Sequence, residues 1–325
     1  MRYARQEKLI GSEAQKKLSK ALVTIVGCGG TGSAAAEYLV RAGVNVRLID
    51  RDIVEVSNLQ RQLYREMDLG KPKAQALKQR LEGINSEIRI DAVSDDLNRD
   101  NIVKLLNNSS VILDGTDNMD TRFLINDYCL KNHVPFTYAA SIKSEGMFTF
   151  ILPKQGPCLR CFIQKITPGS IDTCETAGVI GPVAGLIGSI SAAETIKYII
   201  GEKPLVGNIL HVNVFNNIYE TIGLSFNKNC MACKDKYEFL DSPRRDVTPL
   251  CASTYQFLFE NDINIGALAS RMKNDDELII INASKDLLQL QYKDYAITLF
   301  RNRMLIQNIF SERAVRTVAS KIIGL

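Results

Sequence analysis

The first half of the chain alternates short apolar runs with stretches in which apolar residues recur every three or four positions. Runs of the first kind predict strands and stretches of the second kind predict helices. The predicted strands are 21–26, 44–50, 88–93, 110–114 and 135–139, and the predicted helices are 31–42, 71–84, 102–106 and 122–132. Strands that alternate with helices at this spacing form a parallel sheet covered on both faces. The sequence therefore predicts an α/β fold with a Rossmann-like, mainly parallel sheet.

Beyond residue 140 the pattern changes to strand followed by strand, which predicts that the sheet continues with antiparallel strands. These strands are predicted at 146–152, 211–215 and 220–223. The apolar stretch 178–200 could be mistaken for a membrane span, but Pro182, Glu194 and Lys197 interrupt it, so we expect a buried helix. The charged amino terminus lacks the apolar stretch of a secretion peptide, and we expect a cytoplasmic protein without a membrane partner.

The polar stretch 241–249 contains two prolines and is typical of a linker. After it we expect a strand from Cys251 onward, a helix near 265–272, two or three strands within 278–309 and a closing helix at 312–323. The chain would then consist of a larger domain, 1–243, and a small α+β domain, 244–325.

Composition narrows the class of protein. The 325 residues are 46% hydrophobic and 23% charged, which is the balance of a soluble globular enzyme. The net charge of +4 comes from 40 basic and 36 acidic residues without a long basic run, so we expect no direct binding to nucleic acid. With only two histidines, at 133 and 211, any metal chemistry falls to the eight cysteines.

A glycine-rich turn lies directly between the first predicted strand and the first predicted helix. Its glycines are Gly27, Gly29, Gly30 and Gly32. Here backbone N–H groups and a helix N-terminus can approach phosphate oxygens. Asp50, at the end of the second strand, could accept hydrogen bonds from ribose hydroxyls. This pattern predicts a nucleotide but does not choose between NAD and ATP.

A polar segment after Asp50 favours a triphosphate. It contains Asp52, Ser57, Asn58, Arg61, Gln62, Lys71 and Lys73. Arginine and lysine directed at phosphoryl oxygens stabilise the charge that develops during phosphoryl exchange, and an amide such as Asn58 can orient an oxygen. For Lys71 a solvated loop position is the alternative.

Another acidic segment, Asp114 to Asn118, follows the fourth predicted strand and so reaches the same sheet edge as the glycine turn. Asp117 is a candidate Mg²⁺ ligand, since Mg²⁺ takes one or two carboxylates together with phosphate oxygens and water. Asn118, next to Asp117, is a candidate nucleotide-binding residue. The alternative for this segment is a helix N-cap, a role that Asn118 or Asp120 could fill.

Two C-x-x-C pairs are present, Cys158 with Cys161 and Cys230 with Cys233. Thiolates at this spacing predict a closed, tetrahedral and structural zinc site, with a redox dithiol as the alternative. Cys174 lies alone in a polar loop, where it could be a nucleophile or an inert thiol. The remaining cysteines, Cys28, Cys129 and Cys251, are interpreted as small packing residues.

In their order along the chain, these residues resemble the ThiF, MoeB and HesA family within the ubiquitin-activating enzyme superfamily. The resemblance covers roughly residues 1 to 240. It rests on residues 2–6, Gly27 to Gly32, Asp50 and Asp52, residues 57–62, residues 70–73, Thr116 to Asn118, both cysteine pairs and residues 173–182.

The resemblance implies an enzyme that uses ATP to adenylate the C-terminal Gly-Gly carboxylate of a ubiquitin-like sulfur carrier or modifier, releasing pyrophosphate. It implies that Gly29 and Gly30 line the phosphates and that Asp50 holds the ribose. It also implies that the triphosphate and its Mg²⁺ are bound by Asn58, Arg61, Lys73 and Asp117.

The resemblance further implies a homodimer in which Arg5 reaches the ATP of the neighbouring subunit. Cys174 matches a cysteine that forms a covalent link to the carrier in some members. Sulfur would come from a separate donor, because the chain has no rhodanese-like domain. Three alternatives remain: a non-catalytic scaffold subunit, a tRNA-modifying dehydratase and an NAD-dependent oxidoreductase.

Overall fold

The computed structural model describes residues 2–163, 177–241, 246–250, 253–273, 275, 277–285 and 287–324. The chain divides into two compact units, Met1–Ser242 and Pro243–Leu325. The helices of the first unit are α1 (Ala4–Ile10), α2 (Ser12–Lys20), α3 (Gly30–Arg41), α4 (Lys73–Glu82), α5 (Ile102–Leu106), α6 (Met119–Asn132), α7 (Leu159–Phe162), α8 (Gly181–Ile200) and α9 (Glu238–Asp241). Its strands are β1 (Leu22–Val26), β2 (Asn45–Ile49), β3 (Ile90–Val93), β4 (Val111–Asp114), β5 (Phe136–Ile142), β6 (Glu145–Ile151), β7 (Asn208–Asn213) and β8 (Ile218–Gly223).

The strands of the first unit form one sheet in the order β3-β2-β1-β4-β5-β6-β7-β8. Strands β3 to β5 run parallel, and β6, β7 and β8 continue the sheet antiparallel. Ile25 of β1 pairs with Leu48 of β2 and Leu113 of β4, and all are fully buried because the parallel part is covered on both faces. The predicted fold class is confirmed.

The strand order turns around β1. From β1 the chain goes outward to β2 and β3, and then returns to the other side of β1 as β4. At such a switch point the loops after neighbouring strands diverge and leave a crevice at the carboxyl edge of the sheet. From the strand order we infer a crevice at the carboxyl ends of β1 and β4, beside the glycine turn.

The apolar helix α8 packs against α3 and against the adjacent strands β5 and β6. Among the described residues it is the one helix long and apolar enough to cross a membrane. Val183 and Ile187 are fully buried, and a Cβ on Gly188 would lie 2.5 Å from Thr31 O, so the two helices are in close contact. The opposite side is half-buried, so α8 is buried along one side and not all round.

The second unit is an antiparallel sheet of β9 (Val247–Pro249), β10 (Tyr255–Leu258), β11 (Leu278–Ala283), β12 (Leu287–Tyr292), β13 (Tyr295–Phe300) and β14 (Arg303–Ile306). The strand order is β11-β12-β13-β14-β10-β9. Helices α10 (Ile265–Met272) and α11 (Glu312–Ile323) share one apolar core with the sheet. Both helices have the predicted bounds.

The structure corrects two expectations for this unit. The segment predicted as a linker, 241–249, contains the division between the two units, but its last three residues form β9, because Val247 is buried and pairs with Phe257 at the sheet edge, where a proline is tolerated. The region 278–309 contains four strands instead of two or three, because turns of two residues separate β12 from β13 and β13 from β14. The strand expected from Cys251 onward begins at Tyr255.

Candidate active site

The glycine turn joins β1 to α3 at the carboxyl edge of the sheet. Gly27 has a positive φ of 87°, and a Cβ on it would lie 2.7 Å from Gly115 O, so the turns after β1 and β4 are in contact at their first residues. Gly32 lies over Gly27, where a side chain would strike the Gly27 carbonyl, whereas a Cβ on Gly30 would meet Ala184. At Gly29 the nearest atom to such a Cβ is Gln62 Nε2 at 3.9 Å. The backbone at Gly29 is therefore open to a ligand.

Asp50 holds the glycine turn from the end of β2. Its Oδ2 accepts a hydrogen bond from the Cys28 N–H at 2.6 Å, and its Oδ1 accepts one from the Asp52 N–H at 2.8 Å. Burial raises the pKa of Asp50 above its usual value, although Lys73 and these backbone bonds act in the opposite direction. Asp50 thus has a structural contact on each oxygen, and its contact with a ribose stays a prediction.

The segment after Asp50 carries Asn58 and positions Arg61 and Gln62 beside the glycine turn. Asn58 is buried and accepts a hydrogen bond from Glu55 N at 3.0 Å, which fixes its amide. Arg61 Nη1 donates to Ser57 O at 2.6 Å. Gln62 is 7% exposed, and within the part of the chain that the structure describes its Oε1 has no hydrogen-bond partner. Because buried acceptors are normally satisfied, this oxygen is available to a water molecule or a polar ligand.

Lys73 is the first residue of α4, and its ammonium group points back to the end of β2. Its Nζ lies 3.1 Å from Asp52 Oδ2. Burial alone would lower the pKa of Lys73, but Asp52, Asp50 and Asp117 raise it above its usual value. Lys73 therefore stays a cation. The other lysine of this segment, Lys71, binds Asp68 at 3.1 Å and has a structural role.

Asp117 is exposed on the turn after β4, within electrostatic range of Lys73. Asn118 next to it is the N-cap of α6, since its Oδ1 accepts hydrogen bonds from Asp120 N at 2.9 Å and Thr121 N at 3.2 Å. The capping alternative thus describes what Asn118 does in this structure. Asp117 retains its carboxylate for a ligand at the crevice.

Sequence reasoning missed two residues at this site. Tyr64 Oη donates a hydrogen bond to Cys28 O at 2.8 Å and so holds the glycine turn in place. Burial raises the pKa of Tyr64. Arg51 contacts Asp52 and Asp96. Arg51 could have been noticed because it stands between the two aspartates already singled out, whereas nothing local distinguishes Tyr64.

Among the described residues, Arg5 is the predicted site residue that is not brought to the crevice. Arg5 is exposed on α1, and no described contact joins it to the glycine turn. Cys174 lies outside the described residues. Their roles stay predictions.

The two cysteine pairs meet in one cluster. The Sγ atom of Cys158 lies 3.8 Å from that of Cys161 and 3.5 Å from those of Cys230 and Cys233. The Sγ atoms of Cys161 and Cys233 are 3.5 Å apart. Tetrahedral zinc with Zn–S bonds of about 2.3 Å requires sulfurs about 3.8 Å apart, so these donors fit that ion. Hydrogen bonds with the thiols of Cys161 and Cys233, together with burial, raise the pKa of the Cys158 thiol.

The cluster joins the segment after β6 to the segment after β8, and both pack on α6. Cys158 and Cys230 lie in one apolar cluster with Leu130 of α6. Leu159 N donates to Asn126 Oδ1 at 3.0 Å, and Arg160 Nη2 lies 2.8 Å from Glu238 Oε2. A metal here would hold three segments that the sheet itself does not connect. Cys28 and Cys129 are buried as predicted, and Cys251 lies outside the described residues.

The crevice therefore combines an open glycine turn at a helix N-terminus, a buried lysine and an exposed aspartate. Backbone N–H groups at a helix N-terminus bind phosphate oxygens, and a nearby ammonium group stabilises charge on them. This fold and this site define an α/β enzyme of phosphoryl or nucleotidyl transfer.

Comparison with known proteins identifies the family. Residues 3–232 match the ThiF family. The chain is 34% identical to the sulfur carrier protein ThiS adenylyltransferase of Bacillus subtilis across 99% of both chains. It is 36% identical to the sulfur carrier protein adenylyltransferase of Thermus thermophilus, over 72% of this chain and 91% of that protein. It is 35% identical to the SAMP-activating enzyme E1 of Haloferax volcanii, over 69% of this chain and 84% of that protein. The chain belongs to the ThiF family, and it is an adenylyltransferase.

A solved structure of E. coli MccB with ATP has the same fold. The TM-score is 0.64 at 22% identity, over 72% of this chain and 75% of that one. None of the relatives cited above is named as a dehydratase, a scaffold subunit or an NAD-dependent oxidoreductase.

Proposed function

We propose that this enzyme uses ATP to adenylate the C-terminal Gly-Gly carboxylate of a ubiquitin-like sulfur carrier or modifier. The observation that carries this proposal is the convergence of Gly29, Gln62, Lys73 and Asp117 on one crevice at the switch point of the sheet. The relatives support it, because two of them are named as adenylyltransferases of sulfur carrier proteins.

The reaction needs position and charge more than proton transfer. The carrier carboxylate attacks the α-phosphorus in line, an oxygen–phosphorus bond forms, and pyrophosphate leaves with the electrons of the broken bond. The attacking carboxylate is already ionised, so no general base is required and the scarcity of histidine is no obstacle. Lys73 and Arg61 would stabilise the charge on the phosphates, with Asn58 orienting one oxygen.

The residues present also fit Mg²⁺ bound together with a triphosphate. Asp117 offers an exposed carboxylate beside the crevice, and Mg²⁺ takes one or two such ligands together with phosphate oxygens and water. When bound, the ion would neutralise charge on the phosphates and orient them. Asp117 would hold it at the edge where the turn after β4 meets the glycine turn.

We also propose that the cysteine cluster holds a structural zinc ion. Cys158 is fully buried and its three neighbouring sulfurs complete a tetrahedral set, which leaves no coordination position for a substrate. We further propose a cytoplasmic location, where such thiols remain reduced and available for a metal.

The enzyme would act as a homodimer. Helix α1 has no buried residue, and its Leu9 is 87% exposed, so a second subunit could cover this apolar side chain. Arg5 lies on the same helix, one turn before Leu9, and would reach the crevice of the partner. Each ATP site would then be completed by both subunits.

The decisive experiment is isotope exchange between pyrophosphate and ATP in the presence of Mg²⁺ and candidate carriers from the same genome. Exchange is expected only with a carrier that ends in Gly-Gly. Arg61→Ala and Asp117→Ala should abolish it, whereas Arg65→Ala, which removes an exposed arginine paired with Asp68, should not. Cys174→Ala should retain exchange and lose any covalent adduct that a thiol reductant can release.

Absence of exchange with every Gly-Gly carrier would contradict the proposal. Tighter binding of NAD than of ATP to the purified enzyme would contradict it as well.

A further inference from the structure

Arg51 connects the loops at the carboxyl ends of two neighbouring strands. Its side chain is only 16% exposed, and its Nη1 donates to Asp96 Oδ1 at 3.0 Å. Its Nε lies 3.7 Å from Asp52 Oδ1. Asp96 follows β3 and Asp52 follows β2, the strand paired with it. The guanidinium group therefore joins two segments that form one wall of the crevice.

Asp52 is shared between two cations. Its Oδ1 faces Arg51, and its Oδ2 binds Lys73 Nζ at 3.1 Å. When the ammonium group of Lys73 turns toward a phosphate oxygen, its contact with Asp52 weakens or breaks, since the two anions then share one positive charge. If Asp52 had no second cation, this exchange would leave a carboxylate without a counter-charge beside the incoming triphosphate. Arg51 supplies that second cation on the opposite oxygen.

The crevice edge around Arg51 is rich in carboxylates, and Lys73 alone does not balance them. The carboxylates are those of Asp50, Asp52, Asp96 and Asp117. Burial by itself would lower the pKa of Arg51, but Asp96, Asp52 and Asp117 raise it above its usual value, so the guanidinium group is always charged. A triphosphate that enters an edge with this excess of negative charge is repelled unless a fixed cation offsets it.

We propose that Arg51 is a positioning residue for the nucleotide: it holds Asp52 and Asp96 in place so that Lys73 is released to the triphosphate of ATP. This inference rests on the proposed function, since it assumes that ATP is the ligand of the crevice. Arg51 acts through Asp52 and Lys73 and touches no reacting atom. Its loss should therefore affect the affinity for ATP and leave the chemical step nearly unchanged.

The test compares Arg51→Gln, Arg51→Lys and the wild-type enzyme. Binding of ATP with Mg²⁺ to the full chain is measured by titration calorimetry without a carrier, and the KM for ATP and kcat are measured in the exchange assay. For Arg51→Gln we expect the dissociation constant and KM to rise about tenfold, the loss typical of one charge-assisted hydrogen bond. We expect kcat at saturating ATP to change by less than about twofold.

Arg51→Lys should bind ATP better than Arg51→Gln but less well than the wild type. Lysine keeps the positive charge but loses the planar guanidinium group, whose N–H donors can bind two carboxylates at once. The matched control is Arg89→Gln. Arg89 is also paired with an aspartate, Asp91 at 2.5 Å, but it is exposed and lies away from the crevice edge. This control should bind ATP with wild-type affinity.

An Arg51→Gln enzyme with wild-type affinity for ATP would overturn the inference, as would a fall in kcat at unchanged KM. If Arg51→Gln does not fold, Arg51→Lys decides the question, and wild-type affinity in that variant would overturn the inference. If the wild type binds ATP but shows no exchange with any carrier, the proposed function fails while the binding comparison still decides the role of Arg51.

Discussion

The guanidinium group of Arg122 lies 3.5 Å from the carboxylate of Asp114, and both side chains are almost fully buried beneath the turn that carries Asp117. Arg122 also donates to Ala139 O at 3.0 Å and to Thr116 O. The Oδ1 atom of Asp114 accepts hydrogen bonds from the Thr116 N–H at 2.9 Å and its hydroxyl at 2.7 Å. The pair thus fixes the turn after β4 against β5, and with it the candidate Mg²⁺ ligand.

We predict that Arg122→Gln lowers the free energy of unfolding by about 3–5 kcal/mol, because it leaves a buried carboxylate without its cation. Urea unfolding of the purified chain measures this difference. The control is Arg41→Gln, which removes an exposed arginine paired with Glu37 at 2.7 Å and should cost less than about 1 kcal/mol. Equal costs for the two variants would show that the buried pair contributes no more than a surface pair.

The same pair predicts a pH dependence. Burial raises the pKa of Asp114 above its usual value even though Arg122 and Thr116 act to lower it. Without Arg122 the pKa in the folded state should rise further, so the folded variant binds the proton more tightly than the unfolded chain does. The stability deficit of Arg122→Gln should therefore be full at neutral pH and shrink as the pH falls toward the usual aspartate pKa of about 3.9. A deficit that is the same at pH 7 and pH 4 would contradict this account.

Asp50→Asn should disturb the glycine turn. The carboxylate accepts one backbone N–H on each oxygen, from Cys28 and Asp52, whereas an amide presents an oxygen to only one of them and an NH₂ group to the other. We expect at least about a tenfold rise in the dissociation constant for ATP, since one buried N–H is left without an acceptor. Calorimetric titration measures it, with Asp91→Asn on the exposed edge of β3 as the control. Wild-type affinity in Asp50→Asn would show that the turn holds its shape without these bonds.

Removal of one sulfur from the cysteine cluster should release the proposed zinc ion. Cys161→Ser replaces a thiolate with a much weaker ligand, so we expect metal content near zero and a lower thermal unfolding temperature. Elemental analysis and calorimetry measure the two quantities. Cys129→Ala is the matched control, because Cys129 is also buried but lies in the apolar core, so its loss should leave the metal content unchanged. Full metal content in Cys161→Ser would contradict a four-thiolate site.

Much of the fold could be predicted from the sequence because its determinants are local. The apolar period of α10 and α11 gave their bounds, since each buries one stripe and begins at a polar cap, Asn264 or Ser311. The strand count of the second unit could not be predicted in the same way. The two-residue turn between Tyr292 and Tyr295 contains no glycine or proline, so the sequence continues as though one strand ran through it.

The candidate site likewise has residues that local sequence patterns predict and contacts that they do not predict. Gly27 to Gly32 and Lys73 follow from local patterns, namely a glycine turn before a helix and a lysine at a helix start. The contact between Arg51 and Asp96 joins residues 45 positions apart and exists only because β2 and β3 are neighbours in the sheet. Asn118 shows a different limit of the sequence. Its amide could either bind a ligand or cap a helix, and only the structure shows that it caps α6.

The homodimer with shared ATP sites predicts complementation between two inactive variants. Arg5→Ala should inactivate the site of the partner, whereas Lys73→Ala should inactivate the site of its own subunit. In a heterodimer of the two, both defects fall on one crevice, and the other crevice combines a wild-type Lys73 with a wild-type Arg5. Random mixing makes half of the dimers heterodimers with one intact site each, so about a quarter of the wild-type exchange activity should return.

The measurement mixes the two purified variants under conditions that allow subunits to exchange, and then follows pyrophosphate exchange into ATP. Arg2→Ala replaces Arg5→Ala in the control, because Arg2 is also exposed at the amino terminus but contacts Ile84 O and Glu87 of its own chain. Arg2→Ala should be active by itself. Recovery of activity in the Arg5→Ala and Lys73→Ala mixture requires that Arg5 acts across the subunit boundary. If the mixture stays inactive although mass measurement shows heterodimers, Arg5 acts in its own subunit, and the proposal of an ATP site shared between subunits is wrong.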